Sequence, residues 1–240
     1  MNNSSRTLVG IICALGREAK GIAEYLIDKK WDALAGRTIL HGFLDGRRVT
    51  ILNSGVGKTR AASGTQLLID RYHPRYIINF GTAGGIDDSL RVKDVVVSTR
   101  AVMYDTDHKD PEKTIFHAAP ELLELGRDLP GIHQGVICTA DRVVCSDSVR
   151  TKLAYEYQAL CADWEGAAIL EVCKLNGSPG LILKVISDKA GPYARLEFLF
   201  YHKVAIARGA AVLTQLISKI PLAERMENKG ERKKEVFPYP

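Results

Sequence analysis

The chain alternates short, continuous apolar runs with longer stretches of helical periodicity, and this alternation restricts its fold more than any other feature. Strand-like runs stand at "TLVGIICAL" (7–15), "TILHGFL" (38–44), "RVTILNS" (48–54), "YIINF" (76–80), "DVVVST" (94–99), "GVICTA" (135–140) and "GLILKVIS" (180–187). Several are β-branched and apolar at successive positions, which suits strands covered on both faces. Helical stretches are predicted at 17–28, 57–72, 119–127, 147–157, 165–176 and 195–220. In the second of these Leu68, Ile69 and Tyr72 share one face, and "HP" at 73–74 ends it. "DGR" between the runs at 38–54 is a hairpin signal. Strands alternating with helices argue for a mostly parallel, twisted central sheet.

A chain of 240 residues, 46% hydrophobic and 25% charged, suits one large α/β domain without a second core. We place that domain at 1–222 and a basic polar tail at 223–240. The tail carries much of the net charge of +5 and has no apolar period. No other segment interleaves aromatic and basic residues, so nucleic acid is not expected as a partner. The first residues have too short an apolar stretch for a membrane span and lack signal-peptide features. Cys13, Cys138, Cys145, Cys161 and Cys173 form no C-x-x-C pair and mostly sit in apolar runs, which fits a reducing, cytoplasmic compartment. The six histidines show no metal-ligand spacing.

Sheets of this kind bind ligands where loops leave the carboxyl ends of strands. "ALGREAK", "NSGVGKT", "FGTAGGID", "DWEGAA" and "ISDKAGP" are therefore the segments to search. "GTAGGID" offers Thr82 and glycines such as Gly84 that admit close backbone approach, but it is not G-x-G-x-x-G. "SGVGKT" is not a Walker loop either. Each alone reads as a tight strand-to-helix turn. Asp188 directly follows the buried run "LILKVIS", where desolvation raises a carboxyl pKa. It reads as a ligand-facing acid, or as a helix cap or partner of Lys184 or Lys189. Glu18 and Glu165 open helices, where an acid also serves the dipole. Three carboxylates on three such loops are the set that glycosyl transfer needs, or three unrelated helix starts.

"VGIICALGREAKGI", "NSGVGKTRAASGTQLLID", "YIINFGTAGGIDDSLRVKDVVVS", "DWEGAAILEVC" and "ISDKAG" closely resemble the nucleoside phosphorylase/nucleosidase superfamily. Within it they are most similar to the 5′-methylthioadenosine/S-adenosylhomocysteine nucleosidases, over roughly residues 8–220 with five motifs in order. The resemblance implies a single α/β domain of the purine nucleoside phosphorylase type, its twisted mixed central sheet flanked by helices. It implies that Asp188 protonates purine N7, that Glu18 activates water, and that Glu165 accepts hydrogen bonds from the ribose hydroxyls. It places Thr82 near the base and acid, Gly84 and Ser187 in the substrate motifs, and Phe198 against the nucleoside. Trp164 stands where these nucleosidases usually have Met, lining the sugar or base pocket, and Asp163 replaces a Glu behind it. No metal or organic cofactor is implied. A homodimer is, with Val102, Met103 and Tyr104 as a contributing apolar patch.

Phosphorylases of the superfamily carry an Arg two residues before the glycine of the fourth-strand loop, where this chain has Asn79. Together with Glu18 beside the nucleophile position, this favours water over phosphate, although Arg17 is a candidate phosphate ligand. The segment after Asp105 and Asp107 is short and charged, and Arg142 and Val143 stand near the position of a base-stacking aromatic. A more open 5′ side is expected. Relatives that cleave futalosine or an adenosylated lipid such as adenosylhopane mark that direction. A phosphorylase and a silent nucleoside-binding protein are the rival readings.

Overall fold

The computed structural model describes residues 8–108 and 110–222. The tail at 223–240 lies outside the described residues. In chain order the elements are β1 (Leu8–Cys13), α1 (Gly16–Ala23), β2 (Ile27–Leu34), β3 (Arg37–Leu44), β4 (Arg47–Asn53), α2 (Lys58–Tyr72) and β5 (Tyr76–Gly85). There follow β6 (Val95–Met103), β7 (Ile115–His117), α3 (Pro120–Gly126), β8 (Ile132–Thr139), α4 (Asp147–Tyr157), β9 (Ala159–Asp163), α5 (Gly166–Leu175), β10 (Gly180–Asp188) and α6 (Ala194–Lys219). Among these, no helix is long and apolar enough to cross a membrane.

All ten strands join one sheet, ordered β10-β6-β8-β9-β5-β1-β4-β3-β2, with β7 on β6. β10 also pairs with β5, in parallel from Gly180↔Ile77 to Asp188↔Gly84. Strands β5, β10, β6, β8 and β9 thus close on themselves, and β1, β4, β3 and β2 extend outward from β5. The sheet is mixed rather than mostly parallel. β1 pairs in parallel with β4 and β5, and β8 with β6 and β9, whereas β6 runs antiparallel to β10 and β9 to β5. Alternation along the chain reveals crossovers but not which strands the closure brings side by side.

The helices match their sequence expectations closely except α1, which ends at Ala23. The residues after it form β2, an edge strand exposed along almost its whole length, so no burial pattern marks it in the sequence. The β3–β4 hairpin turns through Asp45 and Gly46, both with positive φ (45° and 77°), as a twisted two-residue turn requires. His73 closes α2 in the left-handed region immediately before Pro74. The largest difference lies at "GTAGG", expected as a turn. It remains strand to Gly85, because β10 and β9 satisfy its backbone on both sides.

The main core lies under α6, where Ile206, Ala210, Leu213 and Leu216 meet Phe80, Leu183 and Val185 of the sheet. Gly209 lets α6 lie close: a methyl there would stand 3.0 Å from both Phe80 and Val185. Arg47 of β4 donates to the Ile220 carbonyl at 2.8 and 2.6 Å, satisfying a carbonyl at the end of α6. Val102 is buried in a second cluster with Val136, Cys138 and Val144, and Met103 and Tyr104 are only partly exposed. Val102 therefore does not face outward, as its part in the expected apolar patch would require. Strand alternation turns Val102 inward, and the large exposed apolar side chains lie elsewhere, five of them on α6.

Phe80 is fully buried between the sheet and α6. Phe80→Ala is expected to destabilise the protein by about 3–5 kcal/mol, the usual range for emptying a core aromatic site. Urea denaturation checks it, and a loss below about 1 kcal/mol would mean that α6 collapses into the space.

Candidate active site

At the carboxyl ends of β5, β9 and β10 the closed half of the sheet opens into a cavity of about 620 Å³. Glu18, Thr82, Gly84, Trp164, Glu165, Ser187, Asp188 and Phe198, all singled out in the sequence, line it together. Its acids are buried, whereas Trp164 and Leu199 stand at exposed positions.

Glu18 sits in the first turn of α1, and Oε2 accepts the Leu15 N–H at 2.9 Å, the helix-start role. Its other oxygen does something a helix start does not need. Oε1 accepts from the Thr82 N–H at 3.0 Å and the Thr82 hydroxyl at 3.3 Å, 64 residues away on β5. A methyl on Gly81 would stand 2.9 Å from this oxygen, so the strand is bare where the acid presses on it. Burial raises the Glu18 pKa, against the opposing pull of Lys184 and the donated hydrogen bonds.

Asp188 ends β10, with Oδ1 accepting the Ala190 N–H at 3.0 Å and Oδ2 the Ser187 hydroxyl at 2.9 Å. A methyl on Gly84 would stand 2.8 Å from Oδ1, the second point where a glycine of β5 makes room for an acid. Neither neighbouring lysine pairs with it: Lys184 faces Asp163 and Glu165, and Lys189 bonds the Leu90 carbonyl. Burial raises its pKa more than the Ser187 and Ala190 bonds lower it. Asp188 is an acid kept inclined to hold its proton.

The two carboxylates beside Trp164 divide their work. Asp163 has three donors: Oδ1 accepts the Thr139 hydroxyl at 2.6 Å, and Oδ2 takes the Gly166 N–H at 2.9 Å and the Lys184 ammonium at 2.9 Å. It starts α5 and anchors a buried cation. Glu165 is not a side-chain cap of α5. Its Oε1 accepts the Gly57 N–H at 3.0 Å from the α2 loop, while Oε2 has only Lys184 at 3.5 Å, which leaves acceptor capacity toward the cavity. Burial pushes its pKa up to about 7, although Lys184 pulls the other way.

Sequence reasoning missed Lys184 and Thr139 as parts of this site. The signal for Lys184 is present in hindsight, since it is the one charge inside the buried run "LILKVIS". Val56, Arg142, Val143, Arg195 and Leu199 complete the rim. Phe198 stacks on His202 at 5.2 Å, with the Arg17 guanidinium 5.5 Å from its ring centre. Lys58, from the glycine loop, is bonded to Asp105, and its backbone N–H to Asp141. Asn79 is fully buried and donates to the Ile12 carbonyl.

Residues 8–218 match the family model of the phosphorylase superfamily. A 5′-methylthioadenosine/S-adenosylhomocysteine nucleosidase of Marinomonas sp. (strain MWYL1) is 32% identical, covering 88% of this chain and 98% of that protein. One from Shewanella loihica is 31% identical over 88% and 99%. The crystal structure of the Neisseria meningitidis nucleosidase with methylthio-immucillin-A superposes with a TM-score of 0.85 at 26% identity, over 89% of this chain and all of that one. The futalosine hydrolase of Helicobacter pylori shares the fold, with a TM-score of 0.84 at 24% identity over 89% and 98%.

The Thr139 hydroxyl also accepts the Ala167 N–H at 2.9 Å, so it joins Asp163 to the first turn of α5 inside a dry interior. Thr139→Val is expected to destabilise the protein by about 1–3 kcal/mol, because both partners lose a buried hydrogen bond. Equilibrium unfolding measures it, and a neutral outcome would mean that the two groups find other partners.

Proposed function

The chain belongs to the phosphorylase superfamily, in the family of the 5′-methylthioadenosine/S-adenosylhomocysteine nucleosidases, and from that premise we propose how its own residues perform the cleavage. It is an N-glycosyl hydrolase acting on a 5′-modified purine nucleoside. Asp188 carries the proton to purine N7, so that the base departs neutral. Glu18 orients and deprotonates the attacking water. Glu165 accepts the ribose hydroxyls through its free lone pairs, and these bonds tighten as positive charge builds on the sugar. Thr82 holds Glu18, Ser187 holds Asp188, Gly84 leaves room for Asp188, and Trp164 and Phe198 supply apolar walls.

One observation carries the choice of water over phosphate. The Thr82 N–H and hydroxyl, the donor pair an anion would use, are already filled by the Glu18 carboxylate. A phosphate there would meet a fixed negative charge. Two further basic groups near the site are engaged elsewhere, Lys58 by Asp105 and Arg17 by the Phe198 ring. We take the homodimer from the family expectation, with the exposed side chains Ile27 and Trp31 of β2 and Tyr193 just before α6 as the surfaces open to it. A cytoplasmic setting accords with the five free cysteines.

A second reading concerns the 5′ group. Tyr193, Leu196, Leu199, Phe200 and Val204 are all at least half exposed along one side of the first turns of α6, and Leu199 lines the cavity. This strip, running out from the mouth, favours a large apolar 5′ substituent of the kind an adenosylated lipid carries.

In phosphate-free buffer, purified protein is expected to release free base from methylthioadenosine. Asp188→Asn should lower turnover by about 10²–10⁴-fold without loss of the fold, because an amide cannot deliver the proton. Glu18→Gln should be similarly crippled while substrate still binds. In the pH profile of kcat/KM, activity rises as Glu18 ionises and falls as Asp188 loses its proton. Both limbs are expected above the ordinary carboxylate range, because burial raises both groups. Release of base only when phosphate is added would replace the hydrolase by a phosphorylase.

For the 5′ group, a series from methylthio to hexylthio is expected to gain in kcat/KM by up to about 0.8 kcal/mol, or roughly fourfold, per methylene buried. Leu199→Asp with Phe200→Asp should flatten that series. Adenosine, S-adenosylhomocysteine and futalosine in the same assay separate an apolar from a polar preference. A series that is flat in the wild type removes the second reading.

A further inference from the structure

The first half of α6 carries a surface that the fold does not use. Between Ala194 and Ala205 no residue of the helix is buried, and its packing on the sheet begins only at Ala205 and Ile206. Leu196, Leu199, Phe200 and Val204 are each at least half exposed there, Phe200 at 71%. Their spacing of three and four residues places them on one side of the helix, with Lys203 among them. Single apolar side chains at a surface need no explanation, but a strip of them rimmed by charge marks a face that something covers. Water alone would be met better by polar residues.

The charges around the strip are of one sign. Arg142 and Arg195 line the cavity mouth together with Leu199, and Arg17 lies over the Phe198 ring. None of these three, nor Lys203, forms an ion pair among the described residues. The acids nearby are turned to other groups. Glu197 accepts the Lys189 N–H at 2.8 Å, Asp141 accepts the Lys58 N–H at 2.9 Å, and Asp147 faces Arg150 at 3.9 Å. An apolar helix face flanked by Arg and Lys is the interfacial pattern. Its apolar side chains enter the headgroup boundary of a bilayer while the cations stay at the level of the phosphates.

We propose that this face docks on an anionic phospholipid bilayer. Leu196, Leu199, Phe200 and Val204 enter the headgroup boundary, Arg142, Arg195 and Lys203 face the lipid phosphates, and the cavity mouth opens at the membrane surface. A lipid surface supplies the charge that the rim lacks. A second copy of the chain does not, because a two-fold contact through this strip would set its cations against themselves. The proposal deepens the second reading of the 5′ group, since a nucleoside with a large apolar 5′ substituent resides in a bilayer and would enter along the strip. Docking is measured without substrate, so either one can fail alone.

The test is flotation of the full-length protein with vesicles of phosphatidylcholine and phosphatidylglycerol in equal parts, beside vesicles of phosphatidylcholine only. Wild type is expected to float with the mixed vesicles and to bind the neutral ones more weakly, by roughly fivefold for each cation that faces lipid. Leu196→Asp with Phe200→Asp should weaken binding to the mixed vesicles by at least about tenfold, given what burial of a Leu or Phe side chain contributes. Circular dichroism establishes that this variant is folded. In a Trp31→Phe background the remaining tryptophan is Trp164, exposed at the mouth, and brominated phosphatidylcholine in the mixed vesicles should quench its emission. Wild-type protein that stays free of the mixed vesicles overturns the proposal; if light scattering then shows the strip variant dissociating a dimer, the strip is a subunit contact. Binding that survives in the strip variant also overturns it, because the contact then lies elsewhere. So does bound protein whose Trp164 is not quenched, and this measurement decides the matter should the strip variant fail to fold.

Discussion

The Lys184–Asp163 pair is the interaction on which the rest of the site depends. It joins the middle of β10 to the end of β9 in an interior where neither charge could stand alone. Asp163 then starts α5 through the Gly166 N–H, and α5 in turn brings Glu165 to the cavity floor. Remove the pair and three consequences follow together. A helix loses its first-turn acceptor, a ligand-facing carboxylate loses its support, and two strands of the closed half lose their polar tie. The Thr139 hydroxyl makes the arrangement three-strand, because it adds the end of β8.

The same floor shows how a fold shared by phosphorolytic and hydrolytic enzymes is turned toward water. Glu18 is both a helix-start residue and the occupant of the Thr82 donor pair. Those donors fix the Glu18 carboxylate at the cavity, and an anion in the same place would meet its negative charge. Burial raises this group and Asp188 alike. Two buried acids therefore stand in one cavity, one held by a helix start and a strand, the other by the chain end of β10.

Close packing around these acids accounts for the glycines of β5. Gly81 lies under Glu18 and Gly84 under Asp188, each where a methyl would stand within 3 Å of a carboxylate oxygen. The glycine-rich stretch is thus part of a strand flattened against two catalytic candidates, and not a loop that wraps a phosphate. Outside the floor the cavity loosens. α6 packs on the sheet with its second half, while its first turns leave the apolar strip beside the mouth exposed.

From the sequence alone, the alternation of buried runs and helices determined an α/β domain, and the loops after the strands made Glu18, Glu165 and Asp188 candidates. These are local properties: apolar period, cap chemistry, and the position of an acid after a buried run. What the sequence left open is equally specific. Whether Glu18 and Glu165 were helix starts or site residues could not be read locally, because the deciding bonds come from Thr82, 64 residues away, and from Gly57, 108 residues away. β2 was hidden because an exposed edge strand has no burial pattern, and "GTAGG" passed for a turn because only β9 and β10 keep it extended. The partner of Lys184 was likewise decided by tertiary structure. A side chain's period along a strand tells which face it takes, but closure of the sheet between β5 and β10 sets which charges meet there.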